Sequence, residues 1–318
     1  MIVAVGIYSP SIWTLPAEHV DRLRARFPDV QFVEARTHAE LADAIEDAEV
    51  AFSSLVREDV YARAQKLRWI HSSAAGVGGT LFPALVESDV VLTNSRGIQS
   101  ASIAEHILAM VLAWRRGIHV AVRRQTQGTW AQDELTSLAP TPLGETRVLI
   151  VGMGSIGEAT AALFRGLGMQ VEGVRRRARD GQPGAESLPD LLPRADIVAI
   201  TLPHTPETNR LFDAAMLARM KPGSLLVNIG RGRLIDEAAL IEGLKAGRPG
   251  AAALDVFERE PLSPGSSLWG MENVIVSPHV AGFGADFWQS VVDLFARNLD
   301  RWRSGQPLEN VVDKRLGY

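Results

Sequence analysis

From residue 147 onward, short aliphatic and β-branched runs alternate with stretches whose apolar positions recur at helical spacing. This is the pattern of a parallel sheet covered on both faces. The strand candidates are residues 147–151, 170–174, 196–202, 224–229, 251–256 and 274–277, enough for a doubly wound sheet of expected order 3-2-1-4-5-6. The first 95 residues repeat the alternation, with strands near 2–6, 30–33, 49–53, 69–72 and 89–93 and helices near 17–27, 39–47 and 58–65. They predict a second, flavodoxin-like α/β unit. Between the two, Ile103, Ile107, Met110, Val111 and Trp114 lie at helical steps, so residues 101–122 read as one long helix that bridges domains or forms a dimer face. Residues 285–303 form another amphipathic pattern after a Gly282-Phe283-Gly284 hinge, and are expected to return to the N-terminal domain.

The strand candidate at 147–151 runs into Val151-Gly152-Met153-Gly154-Ser155-Ile156-Gly157 and then a helical stretch. In that setting GxGxxG is a dinucleotide signature. Gly152 permits the tight turn, Gly154 leaves room for the pyrophosphate, Gly157 lets helix pack on strand, and the helix N-terminus offers free N–H groups. Residues 97–284 are therefore read as a Rossmann dinucleotide-binding domain, and residues 1–96 plus 285–318 as a discontinuous substrate (catalytic) domain.

Composition narrows the classes. At 318 residues and 46% hydrophobic content the chain can bury two cores. A net charge of -4 argues against nucleic acid or an anionic membrane as partner. Cysteine is absent, which removes disulfides, thiolate nucleophiles and Cys-ligated metal. Met1-Ile2-Val3-Ala4-Val5-Gly6 reads as a first strand and not a signal peptide, and no apolar run nears the about 18 residues of a membrane span. A cytoplasmic protein is expected.

In an open α/β sheet ligands bind beyond the carboxyl ends of the strands. Just past strands 4, 5 and 6 of the Rossmann pattern come Arg231, Glu260 and His279. A guanidinium grips a carboxylate through paired hydrogen bonds. An imidazole exchanges a proton with a carbonyl/hydroxyl pair, and a carboxylate selects the imidazole's tautomer. His19, His38, His71, His106, His119 and His204 show no metal-binding spacing, so no metal is expected. No Gly-x-Ser-x-Gly elbow points to a hydrolase.

Together these stretches resemble the D-isomer-specific 2-hydroxyacid dehydrogenase family over nearly the whole chain. The matching residues are Ala104-Glu105-His106, the glycine loop, Asn228-Ile229-Gly230-Arg231-Gly232 with Ile235-Asp236-Glu237, Ala253-Leu254-Asp255-Val256-Phe257 leading to Glu260-Pro261-Leu262, and Ser277-Pro278-His279. The resemblance implies that Arg231 binds the substrate carboxylate and polarises the keto oxygen, that His279 is the general acid/base, and that Glu260 orients it. It implies a substrate loop at Ser73 to Gly78, with backbone N–H groups of Ala75, Gly76 and Val77 on the carboxylate. It assigns cofactor contacts to Ser155, Ile156, Leu202, Pro203, Thr208, Ile229, Gly230 and Asp255, and a homodimer formed through the nucleotide-binding domain. Within the family the likeness is to glyoxylate/hydroxypyruvate reductases, through Pro261-Leu262, Ser267-Leu268-Trp269, Pro278-His279-Val280-Ala281 and the tail 312–318. Formate dehydrogenases pair their histidine with glutamine, and Glu260 speaks against them. Gly282-Phe283-Gly284-Ala285 departs from the family in lacking a threonine or serine.

An NAD site carries an acid about 20 residues past the glycine loop. Here the second strand ends Gly173-Val174-Arg175-Arg176-Arg177. Arg175 and Arg176 suit a 2′-phosphate, so NADP(H) is expected over NAD(H), with NAD(H) use possible. The expected activity is reduction of a small 2-keto acid to a D-2-hydroxy acid. The rival reading is a nucleotide-sensing, corepressor-like interaction protein with little turnover. Candidates for the substrate pocket are the Ile12-Trp13 loop, His71 and the neighbourhood of Trp130.

Overall fold

The structure is a computed structural model of the chain, and residues 1–9, 13–179 and 181–317 are described. It contains two compact units, residues 1–98 with 284–318, and residues 99–283.

Unit 1 holds β1 (Ile2–Val5), α1 (Ala17–Arg26), β2 (Gln31–Glu34), α2 (His38–Ala44), β3 (Val50–Phe52), α3 (Glu58–Tyr61), β4 (Trp69–Ser72), α4 (Pro83–Val86) and β5 (Val91–Asn94). The five strands are parallel, in the order β2-β1-β3-β4-β5. β3 and β4 are buried along their whole length; β3 is a continuous apolar run, while β4 carries the buried polar residues His71 and Ser72. α2 starts where the Thr37 hydroxyl accepts the Glu40 N–H at 3.2 Å.

Unit 2 holds α5 (Ser100–Arg115), α6 (Ile118–Thr126), α7 (Gln132–Ser137), β6 (Arg147–Val151), α8 (Ser155–Gly166), β7 (Gln170–Val174), α9 (Leu188–Leu191), β8 (Ile197–Ile200), α10 (Ala214–Ala218), β9 (Leu225–Asn228), α11 (Glu237–Lys245), β10 (Ala251–Leu254) and β11 (Val274–Val276). Its six parallel strands run β11-β10-β9-β8-β6-β7. Counted within the unit this is 2-1-3-4-5-6, which corrects the expected 3-2-1-4-5-6. The described residues of 175–196 form a loop, α9 and single turns and supply no strand to lie outside β7, and the chain returns on the far side of β6. The last three strands still share one half of the sheet.

The long helix expected at 101–122 is two helices. Gly117 adopts φ 66°, a left-handed conformation that ends α5 and redirects the chain into α6. A Cβ there would meet the tips of the Leu135 and Leu138 side chains at 2.6 Å, so those side chains would have to shift, and the left-handed backbone would be strained besides. The buried face of α5, Ile103, Ile107, Met110 and Val111, lies in one cluster with Ala161 and Phe164 of α8.

The final helix, α12 (Phe287–Arg303), belongs to unit 1. Its buried stripe of Phe287, Val291, Phe295 and Leu299 joins Val3, Phe52 and Trp69 in a single core. Phe295 stacks on Phe52 with centroids 4.2 Å apart. His71, one of the pocket candidates, is 0% exposed in this layer, with Nδ1 2.7 Å from the Thr93 hydroxyl and the Phe295 ring 5.5 Å away. It is a core residue and does not line a pocket. Burial pushes its pKa from 6.5 down to about 3, so it folds neutral.

That burial ties stability to pH. Between 6.5 and about 3 the unfolded chain takes up a proton that the folded chain refuses, so stability is full above the unfolded value and falls on acidification through this window. One such proton contributes a slope of about 1.4 kcal/mol per pH unit. Urea unfolding of the wild type and of His71→Asn between pH 7 and 4.5 should show the wild type losing stability more steeply by that amount. Parallel curves would mean that His71 titrates alike in both states.

Candidate active site

The carboxyl ends of the parallel strands in unit 2 collect the chemistry-bearing residues. β9 ends at Asn228 and leads to Arg231, β10 ends at Leu254 and leads to Asp255 and Glu260, and β11 ends at Val276, three residues before His279. The strands are almost wholly apolar, with Asn228 at the end of β9 the exception, so the other polar groups gather on the loops beyond them.

Glu260 and His279 are joined directly. Glu260 Oε2 lies 2.6 Å from His279 Nδ1, and the other carboxylate oxygen accepts the Phe257 N–H at 3.0 Å. Burial pushes the Glu260 carboxyl up. The hydrogen bonds from His279 and Phe257, with the charges of His279 and Arg231, outweigh it and hold the group below the ordinary carboxylate value. An ionised Glu260 requires a proton on Nδ1, and Nε2 is then the ring nitrogen left for a reacting atom.

The backbone at His279 is unusual, with φ 55° on a non-glycine residue. Asp255, 1% exposed, supplies what holds it there. Its two carboxylate oxygens each accept a backbone N–H, from Val280 and Ala281, both at 3.0 Å. His106 on α5 brings Nε2 to 3.7 Å from the same carboxylate. Asp255 thus fixes the segment that carries the imidazole.

Arg231 is fixed from beneath by Asn228, a buried residue of the Asn228–Gly232 stretch to which the sequence alone gives no role. The Asn228 side chain accepts the Gly230 N–H and donates to the Arg231 carbonyl, each at 3.0 Å. The guanidinium donates to the Gly230 carbonyl at 2.7 Å and is exposed. Desolvation lowers its pKa and Glu260 opposes the shift, so it stays cationic. Gly232 is what lets the Arg231 and Glu260 loops meet, because a Cβ there would fall 1.8 Å from the Phe257 carbonyl carbon. Asp236 and Glu237 have structural places. Asp236 caps α11 by accepting the Ala239 N–H, and Glu237 accepts the Glu258 N–H.

The nucleotide candidates lie on the same edge. Gly152 has φ 111°, and a Cβ on Gly157 would sit 2.2 Å from the Gly152 carbonyl oxygen, so neither position admits a side chain. A Cβ on Gly154 would meet nothing within 4 Å. The open position beside two crowded ones, at the start of α8 with Ser155 and Ile156, fits a pyrophosphate. Gly230 approaches the Leu202 carbonyl closely enough that a Cβ would lie 2.7 Å from it, and Thr208 Oγ1 donates to the Pro203 carbonyl at 2.8 Å. Leu202, Pro203, Thr208, Ile229 and Gly230 thus lie along one rim. At the end of β7, Arg175 donates from Nε to Gln182 at 2.5 Å and from Nη2 to Glu158 at 2.6 Å, while Arg176 pairs with Glu207 at 2.7 Å.

The substrate-loop candidates Ala75, Gly76 and Val77 follow β4 in unit 1, and Asn94 Nδ2 donates to the Ala75 carbonyl at 2.7 Å. Trp130 is 89% exposed and Trp13 packs edge-on against Phe287, while Ile12 lies outside the described residues. Among the described residues no group of three or more acidic or histidine side chains is placed to hold a metal ion.

The two kinds of glycine should respond oppositely to alanine. Gly232→Ala must move backbone, and is expected to destabilise the protein by roughly 1–3 kcal/mol, as overpacking does. Gly154→Ala should leave thermal stability unchanged and weaken dinucleotide binding about tenfold or more. A thermal melt with a fluorescence titration of each variant checks both outcomes.

Residues 108–281 match the D-isomer specific 2-hydroxyacid dehydrogenase NAD binding domain. Over 286 residues the chain is 30% identical to a glyoxylate reductase of Korarchaeum cryptofilum, covering 87% of this chain and 86% of that one. It is 35% identical to a D-3-phosphoglycerate dehydrogenase of Mycobacterium tuberculosis over 81% of this chain, and spans 50% of that longer protein. Its fold superposes with a TM-score of 0.85 on the NADPH-dependent glyoxylate/hydroxypyruvate reductase of Sinorhizobium meliloti, solved with NADP and sulfate, at 29% identity and with 100% of both chains covered. The paired Glu260 and His279, the glycine loop and these likenesses place the chain in the D-isomer specific 2-hydroxyacid dehydrogenase family.

Proposed function

We propose that the protein reduces small 2-keto acids of the glyoxylate and hydroxypyruvate type to D-2-hydroxy acids, with NADPH preferred to NADH. The observation that carries this reading is the 2.6 Å contact between Glu260 and His279 on the strand edge that also bears Arg231. The glycine loop and the 202–208 rim would hold the nicotinamide cofactor, which would supply the hydride when bound. Arg231 grips the substrate carboxylate and draws electron density toward the keto oxygen. His279, held through Nδ1, gives the Nε2 proton to that oxygen and recovers it from solvent. Glu260 keeps the tautomer, and Asp255 keeps the loop. Ala75, Gly76 and Val77 supply backbone N–H groups to the carboxylate.

The cofactor preference rests on the arginines where an acid would bind the ribose. Two N–H groups of Arg175 are taken by Gln182 and Glu158, and its remaining donors are available to a 2′-phosphate. The homodimer reading is supported by Ile118, Val122, Trp130 and Leu138, large apolar side chains exposed within one stretch of unit 2.

His279→Ala should lower kcat about 100-fold or more while the dinucleotide Kd stays within about threefold, measured by NADPH oxidation and fluorescence titration. Near-full turnover in this variant would remove the acid/base role. Because Glu260 stays ionised across the neutral range, Glu260→Gln should displace the histidine limb of the kcat/KM pH profile and not merely scale it. Replacing Arg175 and Arg176 by serine should raise the KM for NADPH far more than for NADH, and equal increases would sink the 2′-phosphate assignment.

A further inference from the structure

Arg175, Arg176 and Arg177 follow β7 as an unbroken basic run, and the fold sets an acid against each of the first two. Glu158 comes from the first turn of α8, directly after Gly157, and Glu207 from the 202–208 rim. Arg175 is the more firmly placed. Its backbone N–H donates to the Pro183 carbonyl at 3.0 Å, its Nε to Gln182 at 2.5 Å and its Nη2 to the Glu158 carboxylate at 2.6 Å. Gln182 reaches it because the segment folds back: the backbones of Arg179 and Gln182 bond each other at 3.1 and 2.9 Å, with Gly181 at φ 75° in the turn between them. Arg175 and Glu158 are both less exposed than Arg176 and Glu207, so solvent weakens their attraction less. The Glu158 carboxylate therefore competes with any anion brought to Arg175. A 2′-phosphate on the adenosine ribose has to share the guanidinium with it or displace it, and arrives beside a like charge. A ribose that carries only hydroxyls brings no charge and leaves the pair intact.

We propose that Glu158 is a specificity-determining residue that acts through Arg175: by holding the guanidinium, it limits how strongly the site favours a 2′-phosphorylated dinucleotide over an unphosphorylated one. The inference rests on the NADPH reading above and deepens it, since it names the residue that sets the size of the preference. Every group involved belongs to unit 2. The basic run alone suggests unopposed cations, whereas the fold supplies counter-charges from α8 and from the rim. A counter-charge beside a binding cation reduces what that cation contributes to an incoming anion.

Glu158→Gln keeps the length of the side chain and removes its charge. The test is calorimetric titration of 2′,5′-ADP and 5′-AMP into the wild type, Glu158→Gln, Arg175→Ser and the double variant, in about 0.15 M salt so that exposed charges act only at close range. No hydride transfer is involved. Glu158→Gln should tighten 2′,5′-ADP about fivefold or more, with 5′-AMP within about twofold, and the gain should fall to within about twofold when Arg175 is replaced. An equal change for both ligands would make Glu158 a structural residue, and no change would make it a solvated one. A selective loss of 2′,5′-ADP binding would mean that the carboxylate presents the guanidinium instead of competing for it, and an equal gain with and without Arg175 would reduce it to direct repulsion. Each of these overturns the proposal. If the wild type binds both ligands alike and Arg175→Ser alters neither, the NADPH reading fails, and Glu158→Gln still decides. A preference for 2′,5′-ADP that emerges only in that variant sustains the inference, and its absence overturns it.

Discussion

The hydrogen bond between Glu260 and His279 exists because the neighbouring parallel strands β10 and β11 end on one edge and both residues follow soon after their strands. Nothing in either side chain brings them together. β10 and β11 are neighbours in the sheet, so residues shortly past their ends are within reach of each other. The strand edge determines the proximity, and the carboxylate then determines which nitrogen of the ring bears a proton. Glu260 retains its charge in spite of burial because the partners it faces are a ring N–H, a backbone N–H and a nearby guanidinium.

Close approach of backbones is the second requirement, and glycine meets it at two kinds of position. Gly232 lets the Arg231 loop rest on the Phe257–Glu258 peptide, and Gly157 lets α8 rest on the phosphate turn. Gly154 has no such neighbour. The glycines of a single motif thus divide into those that serve the fold and one that leaves space, a division that spacing alone does not reveal.

The strand and helix pattern was legible because buried parallel strands are continuous apolar runs and amphipathic helices repeat their apolar positions. Arg231, Glu260 and His279 were legible because they follow such runs at fixed offsets. The strand order was not, since it depends on whether residues 175–196 supply a strand of their own, and their composition permits either. The break at Gly117 was hidden because apolar spacing continues through it while the backbone turns left-handed. The roles of Asn228 and Asp255 as anchors of their loops were invisible for a common reason. Each acts on backbone or on a loop distant in sequence, and hydropathy carries no trace of that. His71 misled in the opposite direction, since a histidine beside a candidate substrate loop reads as polar lining until the stacked rings of Phe52, Trp69 and Phe295 show it to be core.

Asp255 grips peptide groups and not side chains, and this shapes what the segment after the imidazole tolerates over time. Both carboxylate oxygens are satisfied by main-chain donors at positions 280 and 281. Any amino acid that has an N–H provides the same contact, so this bond makes no demand on the side chains there, and the limit on position 281 comes instead from the core in which Ala281 is buried. Proline alone is barred by this bond, because it has no hydrogen to offer and would leave one buried oxygen of Asp255 without its donor.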